Sequence, residues 1–90
     1  MRVIELFWDD HNIEHIAQHA VNPREVEDVC FGTHISRKGK GQRYILSGQT
    51  ENGRYLNVVI EKMSGGTFRP ITAFDMSQTY KRRYRRKLQK

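Results

Sequence analysis

His11, His15 and His19 recur every four residues, a spacing that stacks three imidazoles in one column if the segment is helical. Histidine titrates near neutrality and is the commonest general acid or base, so the column points to proton transfer or phosphate contact. As zinc ligands the three are badly placed. A straight helix separates His11 from His19 by roughly 12 Å, too far to share an ion with bonds of about 2 Å. No metal and no cofactor is expected. For each histidine alone, the plainer account is a polar residue on an exposed helix face.

Arg54 and Arg69 each open a strand just after a turn, where a guanidinium reaches solvent and offers paired donors to a phosphate. Ordinary cross-strand ion pairing is the other reading. Lys81, Arg82, Arg83, Arg85, Arg86 and Lys87 place six positive charges in seven residues. One or two would complement the carbonyl end of a helix, whereas six point to contact with phosphates, which makes these residues the candidate RNA-binding set if the polyanion is RNA. The plainer alternative is a basic tail that orders against an acidic partner. Histidine, arginine, lysine and tyrosine suffice to cleave RNA without a metal. The ribose 2′-OH supplies the nucleophile, and the protein adds a base, an acid and cations around the phosphorane. The sequence contains no Walker loop, dinucleotide fingerprint or serine-nucleophile elbow.

These residues need a scaffold. Val3 to Trp8 is a short β-favouring run, and Asp9 and Asp10 are N-cap candidates for a helix starting near His11. In that helix Ile13, Ile16, Ala17 and Ala20 have the spacing of one buried stripe, with the histidine column roughly opposite. Asn22-Pro23-Arg24-Glu25 predicts a second helix, capped by Asn22, with Pro23 at its first position and Glu25 completing a capping box. Its apolar face is Val26, Val29 and Cys30, and Gly32 ends it. Thr33 to Gly41 reads as an exposed loop. Gln42 to Gln49, Arg54 to Lys62 and Phe68 to Asp75 read as strands, joined by hairpin turns at Glu51-Asn52-Gly53 and Ser64-Gly65-Gly66. In the middle strand Leu56, Val58 and Ile60 share one face and Tyr55, Asn57 and Glu61 the other, the pattern of a sheet covered by helices on one side. Ser77 caps a last helix toward Leu88, with Met76, Tyr80, Tyr84 and Leu88 on one side, a packing stripe by its spacing. The expected fold is a small α+β domain over residues 1–90, ordered β-α-α-β-β-β-α, with an antiparallel sheet and helices packed on one side.

Ninety residues leave a limited core, which favours an oligomer or a complex. One cysteine excludes an intramolecular disulfide and fits a reducing compartment, so the cytoplasm is expected. No segment has the length and apolarity of a signal peptide or membrane span. The net charge of +6 is unevenly spread. Met1 to Ser36 holds two basic and seven acidic residues, net −5, and Arg37 to Lys90 holds fourteen and three, net +11. That polarity suits a polyanion, nucleic acid first and an acidic protein second.

In order along the chain, these pieces resemble the BrnT family of bacterial toxins, small ribonucleases of type II toxin-antitoxin pairs. The family's aromatic-Asp opening, its helix with Asn and its Lys-His-Gly-Val segment are matched by Trp8-Asp9, Asn12 and Gln18-His19-Ala20-Val21, with an acidic helix from Pro23 to Val29. Its strand, Gly-Arg turn and apolar strand are matched by Ser47-Gly48-Gln49-Thr50, Gly53-Arg54 and Leu56-Asn57-Val58-Val59. Arg69-Pro70-Ile71-Thr72-Ala73 and the Tyr84-containing basic helix match its end. The resemblance implies a RelE-like toxin fold, metal-independent RNA cleavage, and a neighbouring antitoxin that is a small DNA-binding protein. Position by position it assigns proton transfer to His19 and phosphate or transition-state binding to Arg54 and Arg69. Gln18, Phe74 and Tyr80 stand where the family has a lysine, an arginine and a glutamate, and His15 is placed to compensate for part of that loss. The alternative is a catalytically weakened or inactive member that binds RNA or protein through its basic C-terminal helix.

Overall fold

The structure, a computed structural model, describes residues 1–88. Its elements are β1 (Glu5–Leu6), α1 (Asp10–Ala17), α2 (Pro23–Phe31), β2 (His34–Lys38), β3 (Arg43–Gln49), β4 (Tyr55–Ser64), β5 (Thr67–Asp75) and α3 (Gln78–Leu88). One sheet has the strand order β1-β5-β4-β3-β2. The α+β class and the hairpins β3–β4 and β4–β5 are as expected, while three details differ.

First, the sheet is mixed. β2 to β5 form an antiparallel meander, but β1 lies parallel to β5, with Glu5 opposite Thr67 and Leu6 opposite Phe68. Only two residues of the Val3 to Trp8 run are strand, because Asp9 turns the backbone into α1. Second, the expected loop from Thr33 to Gly41 contains β2, paired to β3 from His34–Gly48 to Lys38–Tyr44. β2 is an edge strand, where exposed Arg37 and Lys38 carry no burial penalty and discourage pairing with another chain. Its polar sequence therefore hides the strand.

Third, the helices do not share one side. Leu46, Leu56, Val58, Ile60 and Ala73 form the core with Ile16, Val26, Val29 and Cys30 from α1 and α2. A Cβ on Gly48 would lie 3.0 Å from Val29 Cγ1 and 3.1 Å from the Thr33 carbonyl, so glycine lets α2 close on the sheet. Ser47 and Tyr55 point the other way by strand alternation, and α3 packs there. The Tyr84 ring meets the Tyr55 ring edge-on at 5.9 Å, and the Tyr80 hydroxyl lies 2.9 Å from Ser47 Oγ. Beyond α3 this second face stays open, with Ile45, Val59 and Thr72 half-buried.

The caps of α2 are as expected: Asn22 and Glu25 exchange side-chain-to-backbone bonds, Pro23 begins the helix and Gly32 ends it. Ser77 Oγ accepts from the Tyr80 amide. In α1 the buried line is Asn12 and Ile16. The stripe of Ile13, Ile16, Ala17 and Ala20 is not buried as a whole, since Ile13 is 37% exposed and both alanines are exposed. Asn12 makes the reciprocal capping box with Asp9, and its Nδ2 donates to the Phe7 carbonyl at 2.9 Å. Because Asn12 is satisfied inside, the histidine column flanks the buried line and borders the sheet's open face.

Ala20 closes the turn after α1 with φ 57°, where the Ala20 amide bonds the Ala17 carbonyl and the Val21 amide bonds the Ile16 carbonyl. Glycine is the usual residue in that left-handed position. Relief of ~1–2 kcal/mol of left-handed strain exceeds the ~0.5–1 kcal/mol that glycine's added freedom in the unfolded chain costs. Ala20→Gly is therefore expected to raise stability by about 0.5–1 kcal/mol, read as a higher urea midpoint at constant m. No helix among the described residues is long and apolar enough to cross a membrane.

Candidate active site

Strand register assembles a charged row on the open face. Arg43 lies opposite Glu61, and Glu61 opposite Arg69, at the end of the sheet next to the start of α1. Arg43 Nε is 3.4 Å from Glu61 Oε2. Arg69 Nη1 donates to Asp9 Oδ2 at 2.7 Å, with its guanidinium 5.7 Å from the Phe7 ring centre. Asp9 also caps α1 by accepting from the Asn12 amide at 2.9 Å. One carboxylate thus sets both where the helix begins and where Arg69 sits. His11 and His15 from α1, with Arg43, Glu61 and Arg69, line a common cleft of about 340 Å³. Two proton-transfer groups and two guanidiniums around one cavity are the components needed to cleave a phosphodiester.

The expected residues are divided by this geometry. His15 and Arg69 meet in the cleft. His19 lies beyond its lining, with its ring 6.2 Å from that of His15 and 6.4 Å from that of Phe74. Arg54 is elsewhere and fully engaged. Its Nε and Nη2 hold Asp75 at 2.7 and 3.2 Å, and Nη1 reaches both oxygens of Glu25 at 3.2 Å. The Ala20 carbonyl accepts from Nη1 at 2.7 Å and the His19 carbonyl from Nη2 at 3.1 Å. All three nitrogens of the guanidinium are spent on the protein, and the group ties the α1–α2 junction to the ends of β4 and β5. Arg54 therefore meets His19 through the backbone and is placed to hold structure rather than a phosphate.

The basic residues of α3 also separate. Lys81 and Arg85 lie over the Tyr55 ring at 5.0 and 6.0 Å, whereas Arg82 and Arg86 are exposed. Arg83 and Lys87 line a second cleft with Arg37 of β2. Of the three positions that depart from the family pattern, Gln18 is the C-cap of α1, Phe74 packs by His19, and Tyr80 bonds Ser47 beneath Arg37. Sequence reasoning missed His11 as a cleft residue, along with Arg43 and Glu61. The signal for His11 was the column itself, and that for Arg43 and Glu61 was the hairpin register.

Two carboxyls sit below their ordinary range. The Arg69 hydrogen bond, then the Asn12 amide, lowers Asp9, and the Arg54 hydrogen bond lowers Asp75. A depressed carboxylate adds stability above its unfolded value, 3.8 here, and that contribution is lost as pH falls through the folded value. The urea midpoint is expected to be flat above about pH 5 and to drop below about pH 4. In Asp75→Asn the drop should be shallower, and a flat midpoint in the unaltered chain down to about pH 2 would refute the assignment.

No protein-family model and no curated protein matches the sequence. Among solved structures, the chain matches the crystal structure of the Brucella abortus ribonuclease toxin BrnT with a TM-score of 0.69 and 16% identity, over 84% of this chain and 100% of that one. At that identity the likeness is one of architecture, and it is the architecture implied by the order of motifs along the chain. The five-stranded mixed sheet with its three helices is thus similar in fold to a ribonuclease toxin.

Proposed function

We propose that this chain is the toxin component of a bacterial type II toxin-antitoxin pair, a cytoplasmic endoribonuclease that needs no metal and works in the cleft between α1 and the Arg43-Glu61-Arg69 row. The observation that carries the reading is that His15 and His11 line the same cavity as Arg69 and Arg43. One imidazole takes the proton of the 2′-OH, whose oxygen bonds to phosphorus. The bond from phosphorus to the 5′-oxygen breaks, and the second imidazole, protonated, supplies that oxygen's proton. Arg69 and Arg43 offset the charge gathering on the phosphorane. His19, packed on His15, is a positioning residue, and Arg54 holds the turn on which His19 rides. The partners are RNA and a small DNA-binding antitoxin, with an oligomer in the complex.

The test uses the purified chain, end-labelled RNA and excess EDTA. Fragments ending in a 2′,3′-cyclic phosphate and beginning with a 5′-OH are expected, and a 2′-deoxy sugar at the cut position should block that cut. Intact RNA in the presence of folded protein overturns the proposal. Phe74 and Tyr80, apolar or phenolic where the resemblance calls for an arginine and a glutamate, favour one second reading: a module that binds RNA or protein without turnover. RNA binding in the same assay without cleavage would select it.

A further inference from the structure

Four arginines, Arg24, Arg43, Arg54 and Arg69, each face a carboxylate. Arg37, Arg83 and Lys87 have no ion pair among the described residues, yet they border one cleft of about 120 Å³ between β2 and α3. Arg83 and Lys87 are one helical turn apart, about 6 Å along the axis, and Arg37 faces them from the sheet edge. Like charges gathered at a surface repel by roughly 1 kcal/mol per close pair, a cost that an anion between them reverses.

The cleft is also held in shape. Ser47 Oγ donates to Asn57 Oδ1 at 2.6 Å, which leaves Ser47 as acceptor for the Tyr80 hydroxyl at 2.9 Å. That chain fixes the Tyr80 ring, and the Arg37 guanidinium rests 4.9 Å from the ring centre. Arg37 is thus oriented before any ligand arrives, which reduces the entropy lost on binding.

We infer that this cleft is a second phosphate subsite, distinct from the histidine cleft, that takes an internucleotide phosphate of RNA between Arg37, Arg83 and Lys87. The inference rests on the ribonuclease reading for the identity of the polyanion. Both clefts border the same open sheet face. Ser47 lies four residues along β3 from Arg43, about 13 Å at strand spacing, so the phosphate held here flanks the one to be cleaved. One RNA strand crossing the half-buried Ile45 and Val59 reaches both. Of the six cations of α3, only two then read a defined position, and the partner they need comes from β2.

The experiment is fluorescence anisotropy with a labelled 2′-O-methyl RNA of about twelve nucleotides, which cannot be cut because the nucleophile is blocked. Two double variants remove equal charge: R37Q/R83Q from the cleft and R82Q/R86Q from the outer side of α3. The cleft pair is expected to weaken binding about tenfold more than the outer pair and to reduce the salt slope by about 0.7, the value for one phosphate of a single strand. In the unaltered chain, the same RNA should shift the Ile35, Ser36 and Ser47 amide resonances. Equal losses in the two variants, or no shift at those amides, overturn the subsite. A glutamate-rich peptide that binds more tightly than the RNA and is lost in R37Q/R83Q would make the cleft a protein contact and also overturn it. Cleavage of unmodified RNA is measured separately. If it persists while the two pairs lose binding equally, only the subsite fails. If it is absent while the cleft pair loses binding selectively, only the nuclease reading fails.

Discussion

Arg54→Ala is expected to lower the unfolding free energy by about 3 kcal/mol, a fall in Tm of about 12–24 °C for a domain of this size. The guanidinium binds two carboxylates and two carbonyls from three places in the chain: the turn at His19 and Ala20, Glu25 of α2, and Asp75 of β5. Their contributions are unequal. The Asp75 side chain is 64% exposed, so water screens that arm and it adds at most about 1 kcal/mol. Glu25 is 18% exposed and the carbonyls belong to the turn at Ala20, so without Arg54 a half-buried carboxylate and two backbone acceptors lose their donor together. Arg54→Lys should recover less than half of the loss, because an ammonium cannot span four acceptors in one plane. Urea unfolding decides the matter. A midpoint equivalent to a loss of less than about 1 kcal/mol would show that the turn stands without its clamp.

For the proposed RNA cleavage, the largest expected losses follow His15→Ala and Arg69→Ala. Removing a general acid or base costs about 10²–10⁴ in rate, and removing a donor to the developing negative charge about 10²–10³. Conditional expression in bacteria should then leave growth unaffected by either variant while arresting it with the parent chain. Arg69→Ala also frees Asp9, so Asp9→Asn is the informative companion. It weakens the Arg69 pair and keeps the guanidinium, and should cost less than Arg69→Ala. His19→Ala should cost on the order of tenfold or less, since the residue acts by packing against His15. Rates within tenfold of the parent for both His15→Ala and Arg69→Ala would remove the cleft from the reaction.

What was legible in the sequence follows the range of the forces involved. Asp9, Asn22 with Glu25, Gly32 and Ser77 mark helix ends through contacts that reach three or four residues, and each lies where its local chemistry puts it. The alternation of Leu56, Val58 and Ile60 likewise predicts the core face of β4. Tertiary partners were not legible. Arg54, at the start of a strand, looks free for a phosphate until the α1–α2 turn and Asp75 are brought to it from 34 and 21 residues away. The polar β2 owes its strand form to β3, and the four-residue histidine column does not say which side of α1 faces the sheet. Asn12 settles that by taking an inward position that hydrophobic patterning assigns to Ile13.

Cys30, on the inner side of α2, is 2% exposed, and burial, helped by Glu27, pushes its thiol up to about 12. At neutral pH the reactive thiolate is almost absent while the chain is folded, and unfolding returns it toward its free value. The protein thus carries its own label for opening. Pulsed alkylation with mass spectrometry would count molecules in which α2 has left the sheet, in a lysate as readily as in buffer, and would time how long each molecule stays closed.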